Sequence, residues 1–416
     1  MLRPEFCAGT AAKGDCLVRY RFGPSPLAVE VASSNGSLFL RSILETARRV
    51  AAEFTPRPSE AGPGPADEGR EYAGSEGLRG TLAVRDEGAL DYVIAARVEA
   101  ALSAAGYERI KPLSAQATRH LGTGTPDRAR PRRSRLYLPG NQPDLHTNAG
   151  LFGADCILLD LEDSVESGRK AEARMLVARL LSERRDLLGG SEIAVRVNPL
   201  GSPWGEADLE AVVPEAPQAL VLPKCESADQ IREWDDAVRK LERSAGLVPG
   251  SILFQPIIET ARGLNAAASI AAASSRVVAL GFGAEDFRAE LGLTRGAAEE
   301  ELAVPRCLLV IAARAAGVEA LDSVYSKVDD ETGLLESAQR ARALGFSGKS
   351  LIHPSHIAIV NRVFSPTEEE VAWAREVIDA LAAAANEGRG ASTLRGLMID
   401  EPLRARARSI LAAAGA

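Results

Sequence analysis

The sequence predicts an α/β protein: a (β/α)8 TIM barrel with a C-terminal helical extension, preceded by a small α+β domain. Three observations support this prediction. From residue 133 onward, short apolar strand-like segments alternate with helical segments, which is typical of a parallel sheet wrapped by crossover helices. Eight such units fit in about 230 residues, which favours a closed barrel over an open doubly wound sheet. The first hundred residues lack this alternation and have strand–turn–strand signals instead.

The N-terminal region, residues 1–106, predicts a compact α+β domain. Alternating strand patterns at 17–22 and 27–31 flank a Gly-Pro-Ser-Pro turn, and a third strand is predicted at 81–84. Helical spacing of apolar residues predicts helices at 37–54 and 90–105. Between them, residues 56–77 are rich in Pro, Gly and acids and indicate a flexible excursion.

Residues 107–132 are polar and arginine-rich, and they predict a solvated linker whose charges stay in water. Residues 133–416 form the predicted barrel with its C-terminal extension. Its eight strands are expected at 135–138, 156–161, 193–197, 219–222, 252–258, 277–282, 321–325 and 350–352.

The composition argues against several classes of function. A formal net charge of −8 argues against generic nucleic-acid binding, which needs a basic face. No apolar run is long enough to span a bilayer, so no membrane partner is expected. Five widely spaced cysteines without a CxxC pair fit reduced thiols, and we expect a cytoplasmic protein.

Polar residues collect where the predicted barrel strands end. The fifth strand ends in Glu259 and the sixth in Glu285-Asp286, and parallel neighbours bring such acids together at one rim. Mg²⁺ prefers one or two carboxylates and keeps positions for substrate oxygens, so these acids predict a metal site. They could equally be acids that neutralise helix N-termini.

Other rim candidates point to the same chemistry. Glu162 and Asp163 follow the second strand, Arg196 lies in the third, and Lys224 follows the fourth. Asp322 and His353 are candidates from the last two strands, again with structural alternatives; Arg196, for example, could simply pair with Glu162 or Asp163. Carboxylates for Mg²⁺ beside an arginine suit stabilisation of an enolate in carbon–carbon cleavage.

Particular segments resemble the β-subunit of citrate lyase and the related malyl-CoA and citramalyl-CoA lyases. They include RSRLYLPGN (133–141), GADCILLDLEDSV (153–165), PIIETARG (256–263), GAEDF (283–287) and GLMIDEP (396–402). The resemblance covers essentially all of 133–416.

The resemblance implies a TIM barrel with Mg²⁺ on Glu259 and Asp286. The resemblance also implies that Arg196 lies beside the thioester carbonyl. It implies that Asp400 reaches the active site of a neighbouring subunit, where it acts as an acid/base group. The expected assembly is therefore a homotrimer or a multiple of a homotrimer. Glu162 and Asp163 complete the expected catalytic set. The expected substrate contacts are Arg135, Arg196, Lys224 and the backbone at Gly283, Ala284 and Glu285.

The N-terminal domain resembles the γ-subunit of citrate lyase, an acyl carrier protein. AGT (8–10), GDCLVR (14–19) and GALDYVIAARVEAAL (88–102) carry this resemblance. That family attaches a CoA-derived prosthetic group to a serine, and Lys13 stands at the corresponding position here. Since lysine has no hydroxyl for a phosphodiester, a covalent carrier group is not expected.

The resulting hypothesis is a Mg²⁺-dependent lyase that cleaves a citryl thioester, on CoA or a carrier, to oxaloacetate and an acetyl thioester. Malyl-CoA or citramalyl-CoA lyase activity is the enzymatic alternative. The non-enzymatic alternative is a structural subunit of a citrate lyase assembly, and a citrate lyase α-subunit is a further conceivable partner.

Overall fold

The computed structural model describes residues 4–57, 78–110, 113, 127–296 and 299–415. Most of the Pro/Gly-rich excursion predicted at 56–77 lies outside these residues, as do residues 111–112 and 114–126 of the predicted linker.

The N-terminal module has the predicted mixture of strands and helices. A four-stranded sheet has the order β1-β2-β5-β3, with β3 parallel to β5 and the other pairs antiparallel. The elements are β1 (Glu5–Ala8), β2 (Cys16–Pro26), β3 (Ala28–Ser33), α1 (Leu40–Ala51), β4 (Phe54–Pro56), β5 (Arg79–Asp86), α2 (Asp91–Ala104) and β6 (Tyr107–Arg109). The prediction that the linker begins at 107 is wrong, because β6 pairs with β4 and belongs to the module.

The predicted barrel is confirmed. Eight parallel strands close in the order β10-β11-β12-β13-β14-β7-β8-β9. They are β7 (Ser134–Pro139), β8 (Cys156–Asp160), β9 (Glu192–Arg196), β10 (Ala219–Leu222), β11 (Leu253–Ile258), β12 (Ala279–Phe282), β13 (Glu319–Asp322) and β14 (Gly348–Leu351). All eight coincide with predicted strands to within a few residues.

Helices surround the barrel. They are α3 (Pro143–His146), α4 (Lys170–Glu183), α5 (Gly205–Val212), α6 (Ala228–Ser244), α7 (Ala261–Ala272), α8 (Ala284–Leu291), α9 (Ala303–Ala315), α10 (Glu331–Leu344) and α11 (His356–Phe364). The extension comprises α12 (Glu368–Asn386), the hairpin β15 (Ser392–Leu394) and β16 (Leu397–Ile399), and α13 (Glu401–Ala414). It has its own apolar cluster, which includes Val377, Leu381 and Ile399.

Both faces of the barrel strands are apolar, which explains their continuous hydrophobic runs. Outward-facing residues such as Leu136 and Ile157 pack against the helices in the main core. Inward-facing residues such as Leu158, Ala194 and Val221 fill the barrel interior as a separate cluster. The interior is therefore packed below the strand ends, as in other barrels of this type.

The N-terminal module packs on the barrel through α2, which lies against α4. The guanidinium of Arg97 on α2 is fully buried and binds Asp15 in its own module at 2.9 Å, Glu172 of α4 at 3.4 Å and the carbonyl of Asn141 at 3.2 Å. In the opposite direction, Arg179 of α4 forms an ion pair with Glu99 of α2 at 2.9 Å. Two separate groups of buried ion pairs thus join the N-terminal module to the barrel.

The predicted solvation of the linker arginines is wrong for Arg132. Its side chain is buried at the N-terminal end of the barrel, where it binds Glu192 at 2.7 Å and Glu319 at 2.8 Å. Burying an arginine is favourable only when carboxylates compensate its lost hydration. These partners come from β9 and β13, so Arg132 connects the end of the linker to the N-terminal end of the barrel.

Within the described ranges, none of the helices has both the length and the apolar content that crossing a membrane requires. The five cysteines are all free thiols.

Candidate functional site

A cavity of about 440 Å³ opens at the carboxyl ends of the barrel strands. Seven charged side chains line it: Arg135, Asp160, Asp163, Arg196, Glu259, Glu285 and Asp286. They come from β7, β8, β9, β11 and β12 or from the loops that follow. Charged residues from the ends of several strands therefore converge on one cavity, as the common direction of the strands predicts.

Arg196 is held by the end of the second barrel strand. Its Nε and Nη2 each lie 2.7 Å from one carboxylate oxygen of Asp160, and its guanidinium stacks over the Tyr137 ring, 5.1 Å from the ring centroid. Burial alone would raise the pKa of Asp160, but its hydrogen bonds to Arg196 outweigh burial and hold the pKa below its ordinary value. A bidentate, stacked guanidinium is a rigid source of positive charge.

Glu162 and Lys224 support Arg196 from the rim. Glu162 is buried, its carboxylate lies 2.9 Å from Arg196 Nη1, and it is 3.6 Å from the Nζ of Lys224. Burial raises the pKa of Glu162 to about 7, against the opposing effect of Arg196. Asp163 lies further out, 3.5 Å from Arg196, and lines the cavity. Neither Glu162 nor Lys224 is among the cavity-lining residues. They are therefore placed to support Arg196 rather than to contact a ligand in the cavity directly.

Glu259 directly follows β11 and is 4% exposed. One carboxylate oxygen accepts a hydrogen bond from the backbone N–H of Lys224 at 2.6 Å, and no ion pair to Glu259 occurs within the described parts of the chain. Lys224 adopts a left-handed backbone (φ 51°), which turns its N–H toward the acid. Burial raises the pKa of Glu259 to about 8. A buried carboxylate without a cation is unfavourable by itself and is suited to a metal ion.

Gly283 joins β12 to α8 directly against Glu259. A Cβ on Gly283 would lie 2.5 Å from Glu259 Cβ and 2.6 Å from Glu259 Oε2, so only glycine allows this approach. Asp286 lies in the first turn of α8 and lines the same cavity. Glu285, by contrast, is ion-paired with Arg288 at 3.0 Å and with Arg295.

These residues fit a magnesium ion. Among the described residues, neither Glu259 nor Asp286 forms an ion pair with a cationic side chain, and both line a cavity that leaves room for substrate oxygens. Among the residues with described positions, no cluster of three or more histidine, cysteine or acidic side chains could hold a metal. Two carboxylates are sufficient for Mg²⁺, which retains water and substrate ligands, and too few for a closed zinc site.

Arg135 is the second arginine of the cavity. It is 1% exposed and lies in the barrel interior below Tyr137. Its Nη1 is 3.5 Å from Ser350 Oγ, at the limit of a hydrogen bond, and its Nε and Nη2 have no hydrogen-bond partner within the described ranges. Arg135 forms no ion pair with any residue that the structure describes.

Three further candidates from the sequence, Asp322, His353 and Asp400, also do not line the cavity. Asp322 faces away from it and binds Lys349 and Arg306, the latter at 2.9 Å, so the interpretation of Asp322 as a rim group is wrong. His353 is exposed and contacts Ser355. Asp400 occupies the N-cap position of α13 in the C-terminal extension and is not among the residues that line the cavity in a single chain.

Three residues that shape the site were not predicted from the sequence. Asp160 ends the second barrel strand, and its pairing with Arg196 was not predicted. Tyr137 beneath Arg196 could have been found from the strand period, since Arg135, Tyr137 and Pro139 share the inner face of β7. Lys170 is buried under the loop after β8, where its ammonium donates to the carbonyls of Leu161 and Glu162.

Comparisons with known proteins agree with this geometry. The family model described as HpcH/HpaI aldolase/citrate lyase matches residues 133–354. The citrate lyase subunit beta of Escherichia coli strain K12 is 39% identical over 287 residues, which cover 69% of this chain and 94% of the relative. The mitochondrial citramalyl-CoA lyase of Mus musculus is 37% identical over 68% of this chain and 85% of the relative.

A crystal structure of the protein CitE from Mycobacterium tuberculosis, in complex with magnesium, acetoacetate and coenzyme A, superimposes with a TM-score of 0.56. It is 34% identical and covers 70% of this chain and all of that chain. A CitE structure from the same organism with magnesium and pyruvate has a TM-score of 0.51 at 30% identity, covering 68% of this chain and 99% of that chain.

Proposed function

Because this chain belongs to the HpcH/HpaI aldolase/citrate lyase family, we propose that it is a Mg²⁺-dependent carbon–carbon lyase acting on a 3-hydroxyacyl thioester. One observation carries the proposal: the buried, cation-free carboxylate of Glu259 opens, next to Asp286, into the cavity that also contains Arg196. This combination of free acids and a fixed cation suits charge that develops on oxygen.

Glu259 and Asp286 are the residues we assign to hold Mg²⁺. The bound ion would act as a Lewis acid on the oxygens of a 2-oxo acid. Backbone N–H groups of Gly283, Ala284 and Glu285 begin α8 beside it, and a helix N-terminus favours a carboxylate. Because Gly283 has no side chain, both Glu259 and the carboxylate of the substrate can approach the backbone at this position.

In the cleavage direction, a carboxylate accepts the proton of the substrate's 3-hydroxyl, and we assign this role to the exposed Asp163. The hydroxyl oxygen becomes the carbonyl of the 2-oxo acid, the C2–C3 bond breaks, and its electron pair forms the thioester enolate. Arg196, fixed by Asp160 and Tyr137, stabilises the enolate oxygen. Asp400 of a neighbouring subunit then donates a proton to the enolate carbon.

We propose citryl thioester as the substrate, with oxaloacetate and an acetyl thioester as products. The similarity to the Escherichia coli citrate lyase subunit beta supports this substrate. The similar level of identity to a citramalyl-CoA lyase keeps citramalyl-CoA, which releases pyruvate, as the second candidate. Malyl-CoA, which releases glyoxylate, is the third.

We further propose that the N-terminal module is a fixed part of the lyase and that its substrate is a free CoA thioester. A carrier that delivers an acyl group has to move, whereas α2 is anchored to α4 by the buried Arg97 network. The loop containing Lys13 also abuts the barrel, since a Cβ on Gly14 would lie 3.4 Å from Asp144 Cβ. An intact mass equal to that of the unmodified chain is the expected observation, and a CoA-like adduct would contradict it.

A homotrimer, or a multiple of it, remains our proposal for the assembly, and two exposed apolar surfaces support self-association. Val304, Leu308 and Ile311 form a stripe on α9 and are 48–68% exposed. Leu397 and Met398, each 70% exposed, lie on β16 of the hairpin that precedes Asp400. Apolar residues grouped in this way commonly mark interfaces. A cytoplasmic location is the accompanying proposal, supported by the five free thiols.

The test is to supply citryl-CoA and Mg²⁺ and to follow oxaloacetate with a coupled dehydrogenase. Turnover with citryl-CoA supports the proposal, whereas activity only on an acylated carrier protein would reject the free-CoA version. Citramalyl-CoA and malyl-CoA are assayed in parallel.

Glu259→Gln, which replaces the carboxylate by an amide of the same size, should abolish Mg²⁺ binding and turnover while the fold is retained. Glu226→Gln is the matched control, because Glu226 lies on the neighbouring loop and does not line the cavity. Unchanged turnover in Glu259→Gln would reject the metal assignment and favour the structural-subunit alternative.

A further inference from the structure

The first residue of α4 contacts the two loops that flank Arg196. This residue, Lys170, is 6% exposed. Its ammonium donates hydrogen bonds to the carbonyls of Leu161 at 2.9 Å and Glu162 at 2.6 Å, and to Asn198 Oδ1 at 2.9 Å. These acceptors use all three N–H bonds of the ammonium. Lys170 therefore connects the loop after β8 to the loop after β9.

Both loops determine where the guanidinium of Arg196 lies. Asp160 binds Arg196 through both carboxylate oxygens and also accepts a hydrogen bond from the backbone N–H of Glu162 at 2.9 Å. Asn198 follows Arg196 by two residues on the same chain segment. A displacement of about 1 Å at a catalytic group can lower the rate about 100-fold. The position of Lys170 therefore matters to Arg196, although Lys170 does not line the cavity.

The N-terminal module contacts the same turn of α4. One carboxylate oxygen of Glu172 accepts hydrogen bonds from the backbone N–H of Gly9 at 3.2 Å and from Arg97 Nη1 at 3.4 Å. Arg169, the residue before Lys170, donates to the same oxygen at 3.1 Å. Glu172 is therefore the point at which two groups of the module meet the start of α4.

The two donors of the module are themselves held in place. Gly9 has a φ of 82°, and a Cβ there would lie 1.9 Å from the carbonyl oxygen of Cys16, so only glycine fits. The side chain of Arg97 is fully buried, and Asp15 binds it through two hydrogen bonds, at 2.9 and 3.1 Å. The Ala-Gly-Thr segment at 8–10, which resembles part of an acyl carrier, thus provides a fixed contact for α4.

We propose that the N-terminal module positions Arg196 for catalysis. The module fixes Glu172, the turn that contains Glu172 also contains Lys170, and Lys170 holds the loops on both sides of Arg196. This inference rests on the proposed lyase function and gives the module a role in it, as a positioning element of the active site in place of a carrier of acyl groups. Lys170 and Glu172 are positioning residues, because neither lines the cavity.

The first test compares kcat with binding in Lys170→Met and Glu172→Gln. Methionine cannot donate to the loops, so Lys170→Met should lower kcat for the cleaved thioester about 100-fold. Glu172→Gln should lower it about 10-fold, because a neutral amide oxygen is a weaker acceptor for Arg97 than a carboxylate. KM and the Mg²⁺ dissociation constant should change less than about threefold, since Glu259 and Asp286 lie on other elements.

The double variant tests whether the two residues act along one path. Its kcat should equal that of Lys170→Met alone to within about twofold, because Glu172 has nothing further to transmit once Lys170 is lost. Fully multiplied losses in the double variant would overturn the proposal.

Glu183→Gln is the matched control. Glu183 is the last residue of α4 and binds Arg179, so the same substitution on the same helix lies about 20 Å from Lys170, at 1.5 Å per residue. Its kcat should stay within about twofold of the parent. A fall in kcat in Glu172→Gln no larger than in Glu183→Gln, or an equal loss of kcat and of substrate affinity, would overturn the proposal.

Glu172→Asp decides if Glu172→Gln does not fold. Aspartate keeps the charge but withdraws the acceptor by one methylene. A lower kcat at unchanged KM then supports the proposal, and an unchanged kcat overturns it.

Fluorine NMR separates failure of this inference from failure of the proposed function. The ring centroid of Trp204 lies 5.3 Å from Lys170 Nζ, so a 5-fluorotryptophan at this position reports on the loops without turnover. Trp234 and Trp373 are internal references, and Trp204→Phe assigns the signal. The Trp204 resonance should shift by more than its linewidth in Glu172→Gln and keep its position in Glu183→Gln.

The combined results identify which proposal fails. A protein that cleaves none of the three thioesters but shows this shift lacks the proposed reaction and retains the inferred connection between module and loops. A protein that cleaves a thioester, and in which Glu172→Gln changes neither kcat nor the Trp204 resonance, has the reaction without the inferred role of the module. A fall in kcat without a shift of the Trp204 resonance would overturn the path through Lys170.

Discussion

Replacing the buried Glu259 by glutamine should make the metal-free protein more stable, by an amount that grows with pH. Burial raises the pKa of Glu259 from its ordinary 4.5 to about 8 in the folded protein. Folding therefore favours the protonated acid, and the stability associated with it is present below pH 4.5 and is lost as the pH rises to 8. Glutamine keeps an acceptor for the Lys224 N–H but does not ionise.

The pKa shift sets the magnitude. At about 1.4 kcal/mol per pKa unit, the metal-free parent should lose roughly 3–5 kcal/mol of unfolding free energy across this range, and Glu259→Gln should not. Glu162, with a pKa of about 7, titrates in both proteins, and its charge is one of the influences that raise the pKa of Glu259.

The assay is urea unfolding in EDTA from pH 5 to pH 8, followed by tryptophan fluorescence. All three tryptophans, Trp204, Trp234 and Trp373, belong to the barrel and its extension, so the signal reports on that part of the chain. We expect the two proteins to be similar near pH 5 and to diverge toward pH 8. Mg²⁺ at 100 times its dissociation constant should then stabilise the parent by about 2.7 kcal/mol and leave Glu259→Gln unchanged. Parallel pH curves would refute the assignment of Glu259 as an uncompensated buried acid.

Three further predictions concern other parts of the site. Arg196→Lys loses its bidentate and stacking contacts, so kcat should fall about 10²- to 10³-fold with a smaller change in KM; an unchanged kcat would contradict its role at the enolate oxygen. Arg97→Met leaves buried acids unpaired and should lower the unfolding free energy by about 3–5 kcal/mol in urea titrations, against less than about 0.5 kcal/mol for the exposed control Arg41→Met. Mixing inactive Asp400→Asn and Glu259→Gln chains should restore roughly a quarter of the parent activity if each site combines residues of two subunits, and a mixture that stays inactive would rule out that arrangement.

The sequence predicted the barrel well because its strands obey a simple physical rule. Segments such as β8 and β11 are buried on both faces, so nearly all of their residues are apolar until the chain reaches the rim, where Asp160 and Glu259 appear; Gln255 of β11 is the exception. Convergence of Glu259, Asp286 and Arg196 then followed from the common direction of parallel strands.

Long-range pairing of charges was not predictable in this way. Arg132 was expected in water, yet its partners Glu192 and Glu319 lie 60 and 187 residues away along the chain. Asp322 was expected at the rim, and its orientation toward Arg306 depends on which face of a four-residue strand points inward. Sequence periodicity over four residues does not distinguish the two faces.

The ion pairs between α2 and α4 also constrain the order of events during protein synthesis. Arg97 finds Asp15 as soon as the N-terminal module folds, but Glu172 leaves the ribosome much later. Tyr92 and Val93 on α2 likewise complete their packing only against the barrel. At roughly 5–20 residues per second, the module spends several seconds with this face open to solvent. The residues of α4 that cover this face are therefore synthesised several seconds after the face itself.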